Sequence, residues 1–597
     1  MPRTNGLVLL AALGLGACDT RGAAAPPQAR APASAASGPS SSASPEAGAP
    51  AATPPFVVGI VVDQLSAWVA ESRWPELPAT GGFARLRREG TWAKSLRFPY
   101  AVTDTAPGHA SLHTGKLPSE SGIFGNEIPD ASGRRVTFLR DDAVRAVVAD
   151  GPRDVAGSSP ARLRVDTVAD RLRAAHPDAF VVSVSVKDRG AIMPAGRKPT
   201  HALWYDSMLD SFVTSTAFAT TYPAWARGVG DTPAVAKARA KPWALDDAAW
   251  TKAHAATPDA QAGEGDLDGM GIVFPHVAKT GNAFRALPAG DTMILDLALA
   301  AIAAEWDPKR PTLLLLSMSA SDVIGHAYGP DSWEAWDHLH KLDAELARLF
   351  AELDRRVGSY AVLLSADHGN VSMPEVDGVR SAWCPPAPPD PLGRPCGPGH
   401  RLGPNALRDE LRMAAKEALG EGQWVAGFAD PYTYLTPAAR ALAPARRALL
   451  DKALRGVFAK HRDVLREVYD ERTLAERCPK ALEGGRGIPD RAALGEDVFV
   501  LVCRSWAPNV GAGDYYLLTH PGSFFDGEIV IGKGTSHGTP YPYDRTVPLL
   551  VRAPGKIDAG ATIDAPLDFT AYAALEAAFL GLDPRDPRVI LRALTAR

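Results

Sequence analysis

The sequence predicts an α/β protein built on a mostly parallel sheet. Three observations carry that prediction. Apolar runs rich in Val, Ile and Leu recur at 56–62, 180–186, 312–317, 360–365 and 547–551, as in strands buried on both faces. Stretches of helical character separate most of them. Chemistry-bearing side chains follow these runs closely: Asp63, Lys187, Asp322 with His326, and Asp367 with His368. In open α/β sheets ligands bind at the carboxyl ends of the strands.

The chain has 597 residues, enough for one large domain with insertions, and a net charge of −4 that argues against nucleic acid. The first 55 residues stand apart. Arg3 precedes an apolar run at 7–15, and the run leads into Gly16-Ala17-Cys18, an export signal in outline. Leu15-Gly16-Ala17-Cys18 also resembles the bacterial lipobox, whose Cys becomes the lipidated first residue. An ordinary signal peptide with a chance Cys is the alternative. Residues 19–55 are mostly Ala, Pro, Ser and Gly, a tether that cannot bury a core. The expected organisation is a lipoprotein signal peptide at 1–18, a linker at 19–55 and a catalytic domain at 56–597. The protein is then exported, periplasmic or on the bacterial cell surface, and meets the membrane only through its lipid. It is expected to be a monomer.

Within the domain, 56–62 reads as a strand ending on Asp63, 82–88 as a helix and 91–98 as a short strand. Thr103-Asp104-Thr105-Ala106-Pro107-Gly108-His109 reads as a sharp turn into a helix, with Thr105 as N-cap and Pro107 in the first turn. A hydroxyl there faces free N–H groups and the positive end of the dipole, which favours an alkoxide and a bound phosphoryl group. Alone, Thr105 reads as a cap and nothing more. Asn126, between Gly125 and Glu127, reads as a turn residue or as an amide aimed at an anion. Lys187 and Arg189 follow the strand at 180–186; two cations so spaced can converge on one ligand, or sit in a solvated loop.

Residues 165–175 and 291–306 read as helices, and 333–356 as an amphipathic helix with Leu339, Leu342, Leu346, Leu349 and Leu353 on its buried stripe. Two insertions are expected, at about 191–282 and 371–512. The second carries a helix at 444–458 and small strands, 497–502 among them. A Gly-rich loop at 532–540 precedes the strand at 547–551, and a terminal helix at 569–580 closes the domain. Four cysteines remain beyond Cys18; an even number outside the cytoplasm points to two disulfides, with Cys384–Cys396 and Cys478–Cys503 chosen among three connectivities. A zinc site is the rival reading, without close C-x-x-C spacing to support it.

Asp322 and His326 lie four apart, so one helical turn sets both toward a metal. With His537, the set of Asp63, Asp322, Asp367, His326 and His368 fits two borderline divalent ions, most naturally zinc. His109 and His113 read as structural hydrogen-bonding residues; His201, His276 and His400 read as loop or surface residues.

The ordered set resembles the alkaline phosphatase superfamily, and more closely its bacterial members with a threonine nucleophile. The residues are Thr105 in Thr-x-Thr-Ala-Pro-Gly-His, Asn126 in Gly-Asn-Glu, and Lys187 and Arg189 in Lys-Asp-Arg-Gly-Ala. Asp322 and His326 follow in Asp-x-x-Gly-His, Asp367 and His368 in Ala-Asp-His-Gly, and His537 in Ser-His-Gly. The resemblance implies a three-layer sandwich with helices on both faces of the sheet. It implies two zinc sites, one of Asp322, His326 and His537, the other of Asp63, Asp367, His368 and Thr105. It also implies hydrolysis of small phosphomonoesters through phospho-Thr105, with Asn126, Lys187 and Arg189 on the phosphoryl oxygens. Two other readings stay open: a type I phosphodiesterase/nucleotide pyrophosphatase, and a non-catalytic zinc-binding surface lipoprotein. A sulfatase is disfavoured, because Thr105-Ala106-Pro107-Gly108-His109 lacks the Cys/Ser-x-Pro-x-Arg setting.

Overall fold

A computed structural model of the chain describes residues 54–130, 132–376, 399–483, 497–527 and 529–594. The chain divides into Met1–Ala52 and Thr53–Arg597, and the fold is that of the second unit. The signal and lipobox, most of the linker and the expected Cys384–Cys396 pair lie outside the described residues.

The main sheet is laid down by β1 (Phe56–Val62), β2 (Thr91–Arg97), β3 (Arg140–Val148), β4 (Gly151–Ser158), β5 (Phe180–Ser185), β6 (His201–Asp206), β7 (Ser211–Ser215), β8 (Thr312–Met318) and β9 (Ala361–Ser365). A second sheet then forms from β10 (Val425–Ala429), β11 (Tyr432–Leu435), β12 (Leu465–Asp470) and β13 (Tyr515–Thr519). The chain returns to the main sheet with β14 (Thr546–Arg552), β15 (Ala561–Ile563) and β16 (Leu567–Asp568). Its order is β15-β2-β14-β9-β1-β8-β5-β6-β7-β3-β4, with β16 also on β2. Eight helices matter to the site and its support. They are α1 (Thr105–Thr114), α2 (Asp188–Ala195), α3 (Pro288–Glu305), α4 (Ala320–Tyr328), α5 (Trp333–Arg356), α6 (Glu471–Leu482), α7 (Asp497–Ser505) and α8 (Thr570–Phe579).

The fold is α/β, with β9, β1, β8, β5 and β6 parallel at the heart of the sheet. Every residue of β1, β8 and β5 is buried, as expected of strands covered on both faces. Helix α3 packs on β5 and β8, and α8 on β1 and β9. The leucine stripe of α5 is buried as its spacing predicts.

Three sequence readings need correction. Residues 497–502 form the start of α7, not a strand. Their short continuous apolar run suits either state, but Val498, Leu501 and Val502 bury at helical spacing. Cys503 on α7 is bonded to Cys478 on α6, with Cα atoms 5.3 Å apart. The helix at 569–580 is not terminal, since Pro587–Ala593 forms another after it. His276 is fully buried against Glu334 rather than a surface residue. The stretch 191–282 holds β6 and β7, which extend the main sheet, followed by short helices.

The second sheet separates two apolar clusters. Along β13, Tyr516 and Leu518 face one cluster while Tyr515 and Leu517 face the other, the period of two that a strand dictates. The first cluster also contains Ala106 and Phe124. The later insertion is thereby packed onto the segments that carry Thr105 and Asn126.

Candidate active site

Topology gathers the site. Asp63 follows β1, Lys187 follows β5, α4 with Asp322 and His326 follows β8, and Asp367 and His368 follow β9. Parallel neighbours end on the same edge, so these side chains meet there. Thr105 comes from the segment after β2 and His537 from the loop before β14. The turn into α1 begins one residue earlier than the sequence suggests. Asp104 is the N-cap, extended at φ −108°, and Thr105 is already helical. Thr105 therefore opens the helix without capping it, and its hydroxyl is left for the site.

Thr105 is fully buried. Its Oγ1 lies 3.3 Å from Lys187 Nζ and 3.4 Å from His368 Nε2. Lys187 Nζ also lies 2.8 Å from Asp63 Oδ2 and donates to Asp322 Oδ2 at 2.5 Å. Asp322 Oδ1 is 3.4 Å from Nε2 of both His326 and His537. The His368 and His537 rings stack with centroids 3.7 Å apart.

All three imidazoles are oriented the same way. His326 Nδ1 faces the Thr535 carbonyl at 2.8 Å, His537 Nδ1 faces that of Thr103 at 3.0 Å, and His368 Nδ1 that of Gly369 at 3.0 Å. A carbonyl only accepts, so each Nδ1 carries a proton and each Nε2 turns inward.

Electrostatics follow the crowding. Burial pushes the Asp63 and Asp322 carboxyls up, but Lys187 and the neighbouring histidines hold both well below the usual carboxylate range. Asp367 is pushed well above it, by burial first and by the Asp63 charge second. Burial lowers His537, yet Asp104 and Asp322 outweigh it and hold the ring well above the ordinary histidine range.

The residues fit divalent cations. Asp63, Asp367 and His368 form one compact triad and Asp322, His368 and His537 another, with ligand atoms within 4.8 Å of one another in each. His368 belongs to both, while His326 borders the second triad through Asp322 and the His537 ring. Neither Asp63 oxygen nor Asp367 Oδ2 accepts a well-formed hydrogen bond, despite full burial. Buried carboxylates left this way call for positive charge beyond what Lys187 supplies.

Asn126 Oδ1 accepts the Ala106 N–H at 2.8 Å, which leaves its amide donors unspent beside Thr105. Arg189 lies in the first turn of α2, which packs against α1. Its Nη1 lies 3.6 Å from Asp188 and its Nε has no hydrogen-bond partner. His109 bonds Ser317 at 3.2 Å and His113 bonds Glu576 at 3.2 Å, the structural roles expected of them. Sequence reasoning passed over Asp104, 3.4 Å from His537 Nδ1, and Gln64, which bonds Asp322 and Asp367. Their only signal was adjacency to Thr105 and Asp63.

Residues 57–523 match the family model of type I phosphodiesterase / nucleotide pyrophosphatase. The chain belongs to that family. It is a member of the alkaline phosphatase superfamily, related to the nucleotide pyrophosphatases. Alkaline phosphatase PhoV of Synechococcus elongatus is 36% identical over 335 residues, covering 54% of this chain and 60% of that one. This match therefore takes in about three fifths of that relative's length. Alkaline phosphatase PhoK of a Sphingomonas species is 29% identical over 510 residues, 84% of each chain. The crystal structure of alkaline phosphatase PafA, a protein of Elizabethkingia meningoseptica, superposes with a TM-score of 0.72. It is 25% identical and covers 89% of this chain and 96% of that one. The family name thus carries one activity and the relatives another.

Proposed function

We propose that this chain hydrolyses phosphate monoesters with two zinc ions and a phospho-threonine intermediate at Thr105. The observation that carries the proposal is the buried Thr105 hydroxyl at the start of α1, with Lys187 on one side and the carboxylate–imidazole groups on the other. Asp63, Asp367, His368 and Thr105 would hold one ion, and Asp322, His326 and His537 the other. Bound zinc supplies Lewis acidity, which favours the ionised Thr105 hydroxyl and neutralises charge on a departing oxygen. Thr105 Oγ bonds to phosphorus as the ester P–O bond breaks, and the alcohol leaves with a proton. Water then cleaves the Thr105 phosphoester and releases inorganic phosphate. Asn126 donates from its free amide, Lys187 from its ammonium and Arg189 from its guanidinium, to the non-bridging oxygens. Backbone carbonyls pre-orient His326, His368 and His537, with each Nε2 turned inward.

Export belongs to the same reading. A disulfide at Cys478–Cys503 suits an oxidising compartment, and we take Cys18 as the lipidated first residue of the mature protein. No helix among the described residues is long and apolar enough to cross a membrane. The phosphodiesterase reading keeps the family name in its favour. Against it stands the Lys187/Arg189 pair, which matches a dianionic phosphoryl group better than a singly charged diester. Turnover of a chromogenic monoester and a matched diester, with and without chelator, tests the proposal. Chelator-sensitive monoester hydrolysis well above the diester rate is expected. Preference for the diester selects the alternative, and no turnover of either selects a zinc-holding surface protein.

A further inference from the structure

Gln64 touches both ligand triads. Its backbone N–H donates to Asp367 Oδ1 at 3.2 Å, and its side-chain amide donates to Asp322 Oδ1 at 3.0 Å. Asp367 belongs to one triad and Asp322 to the other. The amide is held from behind. Asn370 Nδ2 donates to Gln64 Oε1 at 3.1 Å, and Ser66 Oγ donates to Asn370 Oδ1 at 3.2 Å. Gln64 is 3% exposed.

Two features show that the fold is built around this contact. The backbone of Gln64 sits at φ +67°, a left-handed conformation that residues other than Gly, Asn and Asp rarely adopt. Such a residue persists when its surroundings over-determine it, and here three hydrogen bonds do. Helix α4 also leaves a gap for it: a Cβ on Gly325 would fall 1.9 Å from Gln64 Oε1. The glycine of Asp-x-x-Gly-His thus makes room for an amide from another strand end.

We propose that Gln64 is a positioning residue that fixes the separation of Asp322 and Asp367, and with it the spacing of two bound divalent ions. The inference rests on the two-ion reading of the site. A carboxylate oxygen has two lone pairs, so Asp322 Oδ1 accepts the amide and still faces the His326 and His537 rings. The hydrogen bond restricts the carboxylate's rotation and keeps the oxygen aimed inward. Partners of this kind typically tune metal affinity by about 10–100-fold.

The test measures zinc stoichiometry and affinity of the full chain by chelator competition, beside the melting temperature of the metal-free protein. Gln64→Gly keeps the backbone donor, accommodates the positive φ and removes the side chain with its amide. Relief of the positive φ offsets the Asn370 amide it leaves unpaired, so its metal-free melting temperature should shift little, while it binds one zinc roughly 10–100-fold more weakly. Gly325→Ala, which evicts the amide while leaving residue 64 intact, should give the same loss. The double variant should lose no more than either alone. Unchanged zinc affinity in Gln64→Gly, or losses that add in the double variant, would overturn the role of Gln64. A wild-type chain that binds no zinc overturns the two-ion reading itself, a separate result.

Discussion

At the scale of single residues the account turns on one hydroxyl and two cations. Thr105 is fully buried and its Oγ1 makes only long contacts, to Lys187 and His368. Thr105→Ala should fold and keep its zinc, because six carboxylate and imidazole ligands remain. Its kcat on a chromogenic monoester should fall on the order of a thousandfold or more, as when other nucleophiles are removed. Thr105→Ser keeps the reacting oxygen and should stay within reach of wild type. On the proposed mechanism, Lys187 and Arg189 decide substrate class. A phosphomonoester carries about two negative charges near neutral pH, and each ionic hydrogen bond to it contributes roughly 1.5–3 kcal/mol. Removing both cations should cut monoester kcat/KM by about two to four decades in the zinc-loaded enzyme. Diester hydrolysis, which presents one charge, should fall much less. Equal losses on both substrates would mean that the pair does not read the second charge.

At the scale of elements, α4 presents Asp322 and His326, and its ends are tied to other parts of the fold. Its N-cap Ser319 makes no side-chain capping bond. Asp291 of α3 substitutes: its Oδ1 accepts the Ala320 N–H at 3.2 Å, and His338 of α5 bonds its Oδ2 at 2.8 Å. Asp291→Ala should cost about 1–3 kcal/mol in urea unfolding, since it leaves an N–H and a buried imidazole unpaired. At the other end, the Gly265 N–H donates to the Ala327 carbonyl. Beside it Glu264 is buried, and burial followed by the Glu334 charge pushes its carboxyl up to about 9. A raised carboxyl contributes its stability below pH 4.5, its unfolded value, and loses it as pH rises toward about 9. Glu264→Gln does not titrate. Its melting temperature relative to wild type should therefore climb steadily across that window. A difference that stays flat with pH would contradict the shift.

At the scale of the whole molecule, the parallel core was legible because burial on both faces leaves an unbroken apolar run, as in β1 and β8. The site was legible for a related reason. Parallel strands deliver whatever follows them to one edge, so Asp63, Lys187, Asp322 and Asp367 could be assembled by position alone. What failed was local and depended on partners distant in sequence. The run at 497–502 folds as α7 because its packing with α6 and the second sheet overrides its Val-rich, strand-like composition. His276 is buried because Glu334, 58 residues away, bonds it at 2.8 Å. Gln64 was invisible because its meaning lies in the gap at Gly325 and in the carboxylates it bridges. The central claim is that the phosphoryl group passes through Thr105 before it reaches water. The stereochemical course tests this most directly, using a monoester made chiral at phosphorus with oxygen isotopes and an alcohol as acceptor. Two in-line displacements, onto Thr105 and off it, predict retention of configuration. Inversion would mean a single direct displacement and would contradict the account.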